Sequence, residues 1–331
     1  MDLDGDGNLD LLSGSWPGEL YFFKGGPGRT FAAPVKLRYK DGKAINIGGG
    51  LREGGIGDMI LVAGDATFEE TEKGQVIVYE GERIEIPEGS QGGITGTASA
   101  VHAADWDGDG DYDLLVGEIG GGVHLVPNEG TKTAPAFGNA SQLRIGFLPL
   151  KVAGDAGPFT ADWDGDGDLD LLVGGGDGRV VLFRNLGRAP PRLGAPEELV
   201  PPGKVEYGAS APTEPARGHR SKVCAADWNG DGRLDLLVGD IATLKPALVP
   251  VSAEEKAAQD AMRKDLEGVK ERYGALSQKL RAGDEAERKK AAEELQEVQR
   301  RWQELHSKLP REYENHGWVW LFLRKGEAAR Q

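Results

Sequence analysis

One eleven-residue string recurs four times and sets what this chain can fold into. The copies read DLDGDGNLDLL from Asp2, DWDGDGDYDLL from Asp105, DWDGDGDLDLL from Asp162 and DWNGDGRLDLL from Asp227. Each puts oxygen-bearing side chains at positions 1, 3, 5 and 9, with glycine at position 6. Alternating carboxylates on a tight turn converge on one point, and a hard cation such as Ca²⁺ takes about six to eight oxygens there. A solitary copy would read as an acidic surface turn. Recurrence in one local setting makes it a repeat architecture, so fold and chemistry are both set by the repeat.

The candidate ligands are Asp2, Asp4, Asp6 and Asp10 in loop 1, and Asp105, Asp107, Asp109 and Asp113 in loop 2. Loop 3 offers Asp162, Asp164, Asp166 and Asp170. Loop 4 offers Asp227, Asn229, Asp231 and Asp235, with one charge fewer. Position 7, occupied by Asn8, Asp111, Asp168 and Arg233, supplies a backbone carbonyl. The spacing overlaps the start of an EF-hand, which also needs a bidentate Glu at position 12 and flanking helices. Position 12 is Ser13, Val116, Val173 and Val238 instead. Position 9 runs into a short apolar stretch closed by glycine, the pattern of a buried strand. VHAA, PFTA and VCAA mark a strand before three of the loops. Without an ion the carboxylates would repel one another. Mg²⁺ prefers a rigid octahedron with several waters, and transition metals want His or Cys, which do not recur in the loops. The loops therefore specify Ca²⁺ at up to four sites, least strongly at loop 4.

These residues resemble the FG-GAP (VCBS-type, integrin-alpha-like) repeat family, on the strength of the loop and the strand after it. The resemblance implies an all-β fold, a β-propeller of four-stranded blades whose acidic loops join the first two strands and bind Ca²⁺. It implies a non-catalytic scaffold outside the cytoplasm (periplasmic, cell-surface or secreted) that binds a protein or glycan. The alternative is a carbohydrate-active lyase or hydrolase on the same scaffold. Its active site would lie in non-repeated loops such as Arg52–Glu53 or the Glu69–Lys73 turn. Fold alone does not separate these readings.

The Leu-Leu-x-Gly strand ends at Gly14, Gly117, Gly174 and Gly239, and a fifth unit without the acidic motif aligns at Leu61–Gly64. There the ligand positions become Arg52, Gly54, Ile56 and Ile60, so this blade should fold without metal. The spacing, about 50–65 residues, suits four strands plus turns. Residues 1–240 are thus read as blades, with units at about 1–45, 46–97, 98–155, 156–215 and 216–240. A strand after each unit recurs as ELYFFKG, QVIVYEG, GVHLVPNEG, RVVLFRNLG and, later, GWVWLFLRK, rich in β-branched and aromatic residues. Met1 directly precedes the first ligand, and only GEAARQ follows the last strand. The expectation is an N-terminally truncated bacterial member, or a reading begun at an internal Met, of a larger propeller; a closed five-bladed ring is the alternative.

Residues 241–316 interrupt the last blade before a returning strand at 317–325. Met262, Leu266, Val269, Tyr273, Leu276 and Leu280 form one apolar seam, and Ala291, Leu295, Val298, Trp302, Leu305 and Leu309 another. This spacing predicts an antiparallel coiled-coil hairpin over about 252–310. Ser252 with Glu255 reads as a capping box, Gly283–Asp284 as the turn with Asp284 as N-cap, and Pro310 as the stop. Each seam is read as packing on the other helix, with Trp302 in the hairpin core; the alternative is that part of the hairpin, at Trp302, docks another chain.

The net charge of −15 argues against nucleic acid and anionic membranes as partners. No run of about 18 apolar residues exists to span a membrane. The single cysteine, Cys224, is read as a small buried hydrophobe in a strand. The histidines form no catalytic or metal motif. His102 and His124 alternate with apolar residues in strands, as structural positions do. Trp106, Trp163 and Trp228 at loop position 2 are read as packing between neighbouring blades.

Overall fold

The computed structural model describes residues 1–15, 18–47, 67–71, 74–79, 82–85, 100–188, 190–204, 206, 210–246, 250–282, 284–311 and 313–325. The fold is mostly antiparallel β-sheet, with two helices towards the C-terminus. Loops 2, 3 and 4 each join two adjacent strands of one sheet. Ala100–Ala104 leads into loop 2 and Asp113–Gly117 leaves it; Val123–Val126 and Ser141–Gln142 complete four strands in spatial order. Loop 3 sits likewise between Gly157–Ala161 and Asp170–Gly174, followed by Val180–Arg188 and Pro191–Val200. Loop 4 joins His219–Ala226 to Asp235–Leu244, and Glu314–Phe322 returns as the third strand. The loop-1 sheet holds Leu11–Gly14, Leu20–Phe23 and Val35–Lys36. The pairing register is common to the copies: Asp113 faces Ala104, Asp170 faces Ala161 and Asp235 faces Ala226.

The DLLVG strands of loops 2 and 3 are buried on both faces because their sheets are covered on both sides by neighbours. With side chains alternating across the pleat, Leu114 and Val116 point to the loop-1 sheet, whereas Leu115 and Val123 point to the loop-3 sheet. Leu172, Val180 and Leu182 in turn pack against Val223, Leu236 and Val238 of the loop-4 sheet. Each such fully buried side chain stabilises the stack by about 1.5–3 kcal/mol. The closing glycine of DLLVG is set by the same packing. A Cβ on Gly117 would stand 2.1 Å from the Ala156 carbonyl oxygen, and one on Gly174 would stand 2.2 Å from that of Ser221.

Leu3, Leu20, Ile45 and Ile47 share one core with Ala103, Leu114, Val116 and Val126, so the loop-1 and loop-2 sheets touch directly. Residues 46–97, expected as a blade, lie mostly outside the described residues. Their described part is a three-stranded antiparallel sheet of Thr67–Thr71, Gly74–Tyr79 and Glu82–Glu85. The strand expected at Leu61–Gly64, Arg52–Glu53 and the aligned positions 52–60 lie outside the described residues. Two expectations change. Cys224 is exposed, and Trp228 is largely exposed while Trp106 and Trp163 are buried between sheets. Both belong to the face of the loop-4 sheet that no further sheet covers among the described residues.

Residues 206–215 and 243–315 form a second compact unit. Its helices run over Ala253–Ala282 and Glu285–Lys308. Ser252 and Glu255 close a capping box at the first, and Asp284 caps the second with Glu287. Gly283 lies outside the described residues. Leu276, Ala291 and Val298 are buried between the helices, with Val269, Leu280 and Leu295 packed on them. Arg301–Asp265 and Arg272–Glu294 ion pairs cross from helix to helix. Among the described residues no helix is long and apolar enough to cross a membrane.

Candidate metal centres

The loops are built on two left-handed glycines each. Positions 4 and 6, Gly108 and Gly110 in loop 2 and Gly165 and Gly167 in loop 3, have φ between 81° and 99°. Only glycine takes this conformation without strain, and it turns the intervening side chains inward. In loop 1, ligand atoms of Asp2, Asp4 and Asp10 lie within 4.8 Å of one another. The same holds for Asp105, Asp107 and Asp109 in loop 2 and for Asp162, Asp164 and Asp166 in loop 3. Loop 4 brings Asp227, Asn229 and Asp231 into one hydrogen-bonded turn.

The position-9 aspartate behaves differently from the rest. It is buried in all four copies. One oxygen accepts the N–H of loop position 2: Leu3 to Asp10 at 2.8 Å, Trp106 to Asp113 at 3.1 Å, Trp163 to Asp170 at 3.0 Å and Trp228 to Asp235 at 3.1 Å. The other accepts an N–H from the next strand over: Gly25, Asn128, Asn185 or Arg324, at 2.7–2.8 Å. This carboxylate pins the loop to its own sheet. In loops 2 and 3 the tight cluster is made by positions 1, 3 and 5 without it. Asn8, Asp168 and Arg233 donate their N–H groups to the position-5 carboxylate.

The clamp donors also align the copies and expose a difference among them. The residue before the donor is Lys24, Pro127, Arg184 and Leu323 in loops 1 to 4. Lys24 pairs with Asp4 and, at 2.8 Å, with Asp6. The Asp4 and Asp6 carboxylates raise the Lys24 pKa, and the ammonium in turn holds the Asp6 carboxyl below the usual range. Arg184 reaches Asp164 at 2.5 Å and Glu197 at 2.7 Å. Pro127 offers no cation. In loop 2 the carboxylates are correspondingly short of partners: Asp105 Oδ1 and Asp111 Oδ1 are buried with none among the described residues. Burial, then repulsion from Asp109, Asp107 and Asp105, pushes the Asp111 carboxyl up. Burial likewise pushes Asp113 up to about 6 and raises Asp170. Orphaned buried oxygens beside three converging carboxylates are a donor set with a cation's place in it. Hard oxygen donors without sulfur or imidazole fit Ca²⁺.

Two features went unread in the sequence. Asp111 was assigned only a carbonyl, yet its side chain is buried against the loop. Arg324 closes the loop-4 clamp through its N–H; its guanidinium donates to the Trp163 carbonyl at 2.6 Å and lies 4.6 Å from the Trp163 ring centre. Laying GWVWLFLR of residues 317–324 over GRVVLFRN of residues 178–185 places Arg324 on Asn185, the signal that could have found it. His102 is partly buried, with Nε2 3.0 Å from Thr160 Oγ1.

Residues 105–173 and 162–238 each match the family model of the FG-GAP-like repeat. Over this stretch the chain carries FG-GAP-like repeats. No curated protein matches the chain. Among solved structures, it is similar to an Agrocybe aegerita lectin described as recognising non-reducing terminal N-acetylglucosamine. The identity is 19%, the TM-score 0.31, and the match covers 72% of this chain and 59% of the lectin chain.

Proposed function

We propose that this chain is a calcium-stabilised, non-catalytic β-propeller scaffold working outside the cytoplasm and presenting its surface to a protein or glycan. The carrying observation is loop 2, where three carboxylates converge within 4.8 Å beside buried, partnerless Asp105 Oδ1 and Asp111 Oδ1. Repeated sheets stacked face to face support the propeller reading, with each sheet as a blade and residues 241–316 as an insertion in the last. Asp105, Asp107, Asp109 and the Asp111 carbonyl would hold the ion in loop 2, Asp2, Asp4, Asp6 and the Asn8 carbonyl in loop 1, and Asp162, Asp164, Asp166 and the Asp168 carbonyl in loop 3. Asp227, Asn229, Asp231 and the Arg233 carbonyl form the least charged set. Asp10, Asp113, Asp170 and Asp235 complete the shells while clamping them. When bound, Ca²⁺ supplies positive charge at the turn and no chemistry on a substrate.

Terbium in place of calcium tests this reading. Trp106 and Trp163 adjoin loops 2 and 3 and should sensitise Tb³⁺ emission, which excess Ca²⁺ should quench. Calcium at 100 times its Kd should stabilise by about 2.7 kcal/mol per site. Dark Tb³⁺ and a melting temperature indifferent to EDTA would sink it. The partner half is tested separately, by a glycan array and a pull-down with the calcium-loaded protein.

A further inference from the structure

The repeat shows which faces of its sheets need a neighbour. At each of the three junctions between loop-bearing sheets, one face of the earlier sheet packs on the opposite face of the later one. The earlier face always presents loop position 2, the second leucine of DLLVG and alternate residues of the third strand. The later face presents the first leucine of DLLVG and the residues between.

Among the described residues the loop-4 sheet has no later neighbour, and its matching positions are exposed. Trp228 is 61% exposed, whereas Trp106 and Trp163 are 3% and 7%. Val319, aligned through the clamp donors with Val123 and Val180, is 71% exposed, and those two are fully buried. Leu321 and Leu323 continue the patch. Backbone spacing agrees. Gly117 and Gly174 have a carbonyl of the next sheet about 2 Å from a would-be Cβ, but Gly239 has nothing nearer than 3.9 Å. The loop-1 sheet shows the converse. Leu11 is 47% exposed and Leu9 72%, although Leu114 and Leu171, the counterparts of Leu11, are fully buried.

We propose that the bare loop-4 face of one copy receives the bare loop-1 face of a second copy, head to tail. The chain holds both halves of the junction that it builds three times internally, each without its mate. The occupant is thus defined by chemistry already present: alternating leucines and aromatics of the same register. Two different faces make the contact heterologous, so it propagates to a ring or an open array rather than stopping at a symmetric dimer. The proposal does not rest on metal binding, although the protein is kept in calcium throughout its test.

Sedimentation equilibrium of the full chain should show mass rising with concentration, with Trp228 emission shifting to the blue. Val319→Asp and Leu11→Asp should each abolish both, with the circular dichroism of the folded protein retained, since both side chains are exposed in the single chain. Mixed one to one, the two variants should form a capped heterodimer through their remaining intact faces. A wild-type monomer at all concentrations overturns the proposal. So does association that survives in either variant alone, as a like-face contact would, or failure of the mixed pair to dimerise.

Discussion

Lys24 and Arg184 occupy one position of the repeat and act there as tethered counter-ions. A cation on the ion's side of the loop must be displaced before Ca²⁺ gains the same carboxylates. Lys24 shares Asp4 and Asp6, so Lys24→Gln should tighten loop 1. An exposed pair of this kind is weak, so the gain should be no more than about fivefold in affinity. Calorimetric calcium titration should resolve this as a tightening of the weaker sites; an unchanged isotherm would remove Lys24 from the account. His102 supplies a residue-scale pH effect away from the loops. Burial pulls its pKa down to about 4, and its ring lies 4.6 Å from that of Phe159. A base with a depressed folded pKa gives stability that is complete above the unfolded value, near 6.5, and is lost as pH falls toward 4. Urea unfolding in EDTA should therefore lose up to about 1.4 kcal/mol per pH unit across that window from this group. His102→Gln should flatten that slope, and an equal slope in the variant would exclude His102 as its source.

At the scale of the element, the unit is a loop, two strands and a third strand tied by one buried aspartate. Asp170 takes the N–H groups of Trp163 and Asn185. Asp170→Ala would leave both buried and unpaired, at about 1–3 kcal/mol each. Urea unfolding in EDTA should register a loss of about 2–6 kcal/mol, and Asp170→Asn, which keeps one acceptor, a smaller one. Equal losses in the two would mean that packing rather than the N–H contacts sets the cost. This element explains what sequence could and could not convey. Converging side chains at positions 1, 3 and 5 are legible because ligation is local. The clamp is not, since its donor is a backbone N–H fifteen residues on in loop 3 and 89 residues on in loop 4, with no side-chain signature. The helix caps at Ser252 and Asp284 are local and were legible. The stacking of the loop-1 sheet on the loop-2 sheet is not local: residues 46–97 carry a strand pattern whether or not they stand between them. Cys224 and Trp228 look buried in sequence because their repeat positions are buried elsewhere, and only the next sheet decides.

At the scale of the whole molecule, charge decides how the chain answers to its solvent. A net −15 concentrated at loop turns means that the metal-free fold carries self-repulsion, which the unfolded chain relaxes by moving the charges apart. Mobile ions screen such repulsion beyond about 10 Å at 0.1 M salt, and far less at about 0.01 M, where the Debye length is about 30 Å. Within a loop, carboxylates under 5 Å apart are barely screened at either strength, so monovalent salt relieves repulsion between loops but not inside one. Bound divalent ions relieve both. The melting temperature in EDTA should thus rise when NaCl increases from about 0.01 to 0.1 M, and should rise further on adding calcium at constant ionic strength. In saturating calcium the same NaCl step should have much less effect, because the charge that it would screen is already neutralised in place. Differential scanning calorimetry over the four conditions reads the interaction directly. Equal salt effects with and without calcium would show that the loops hold no ion under those conditions, or that their charge has no part in stability.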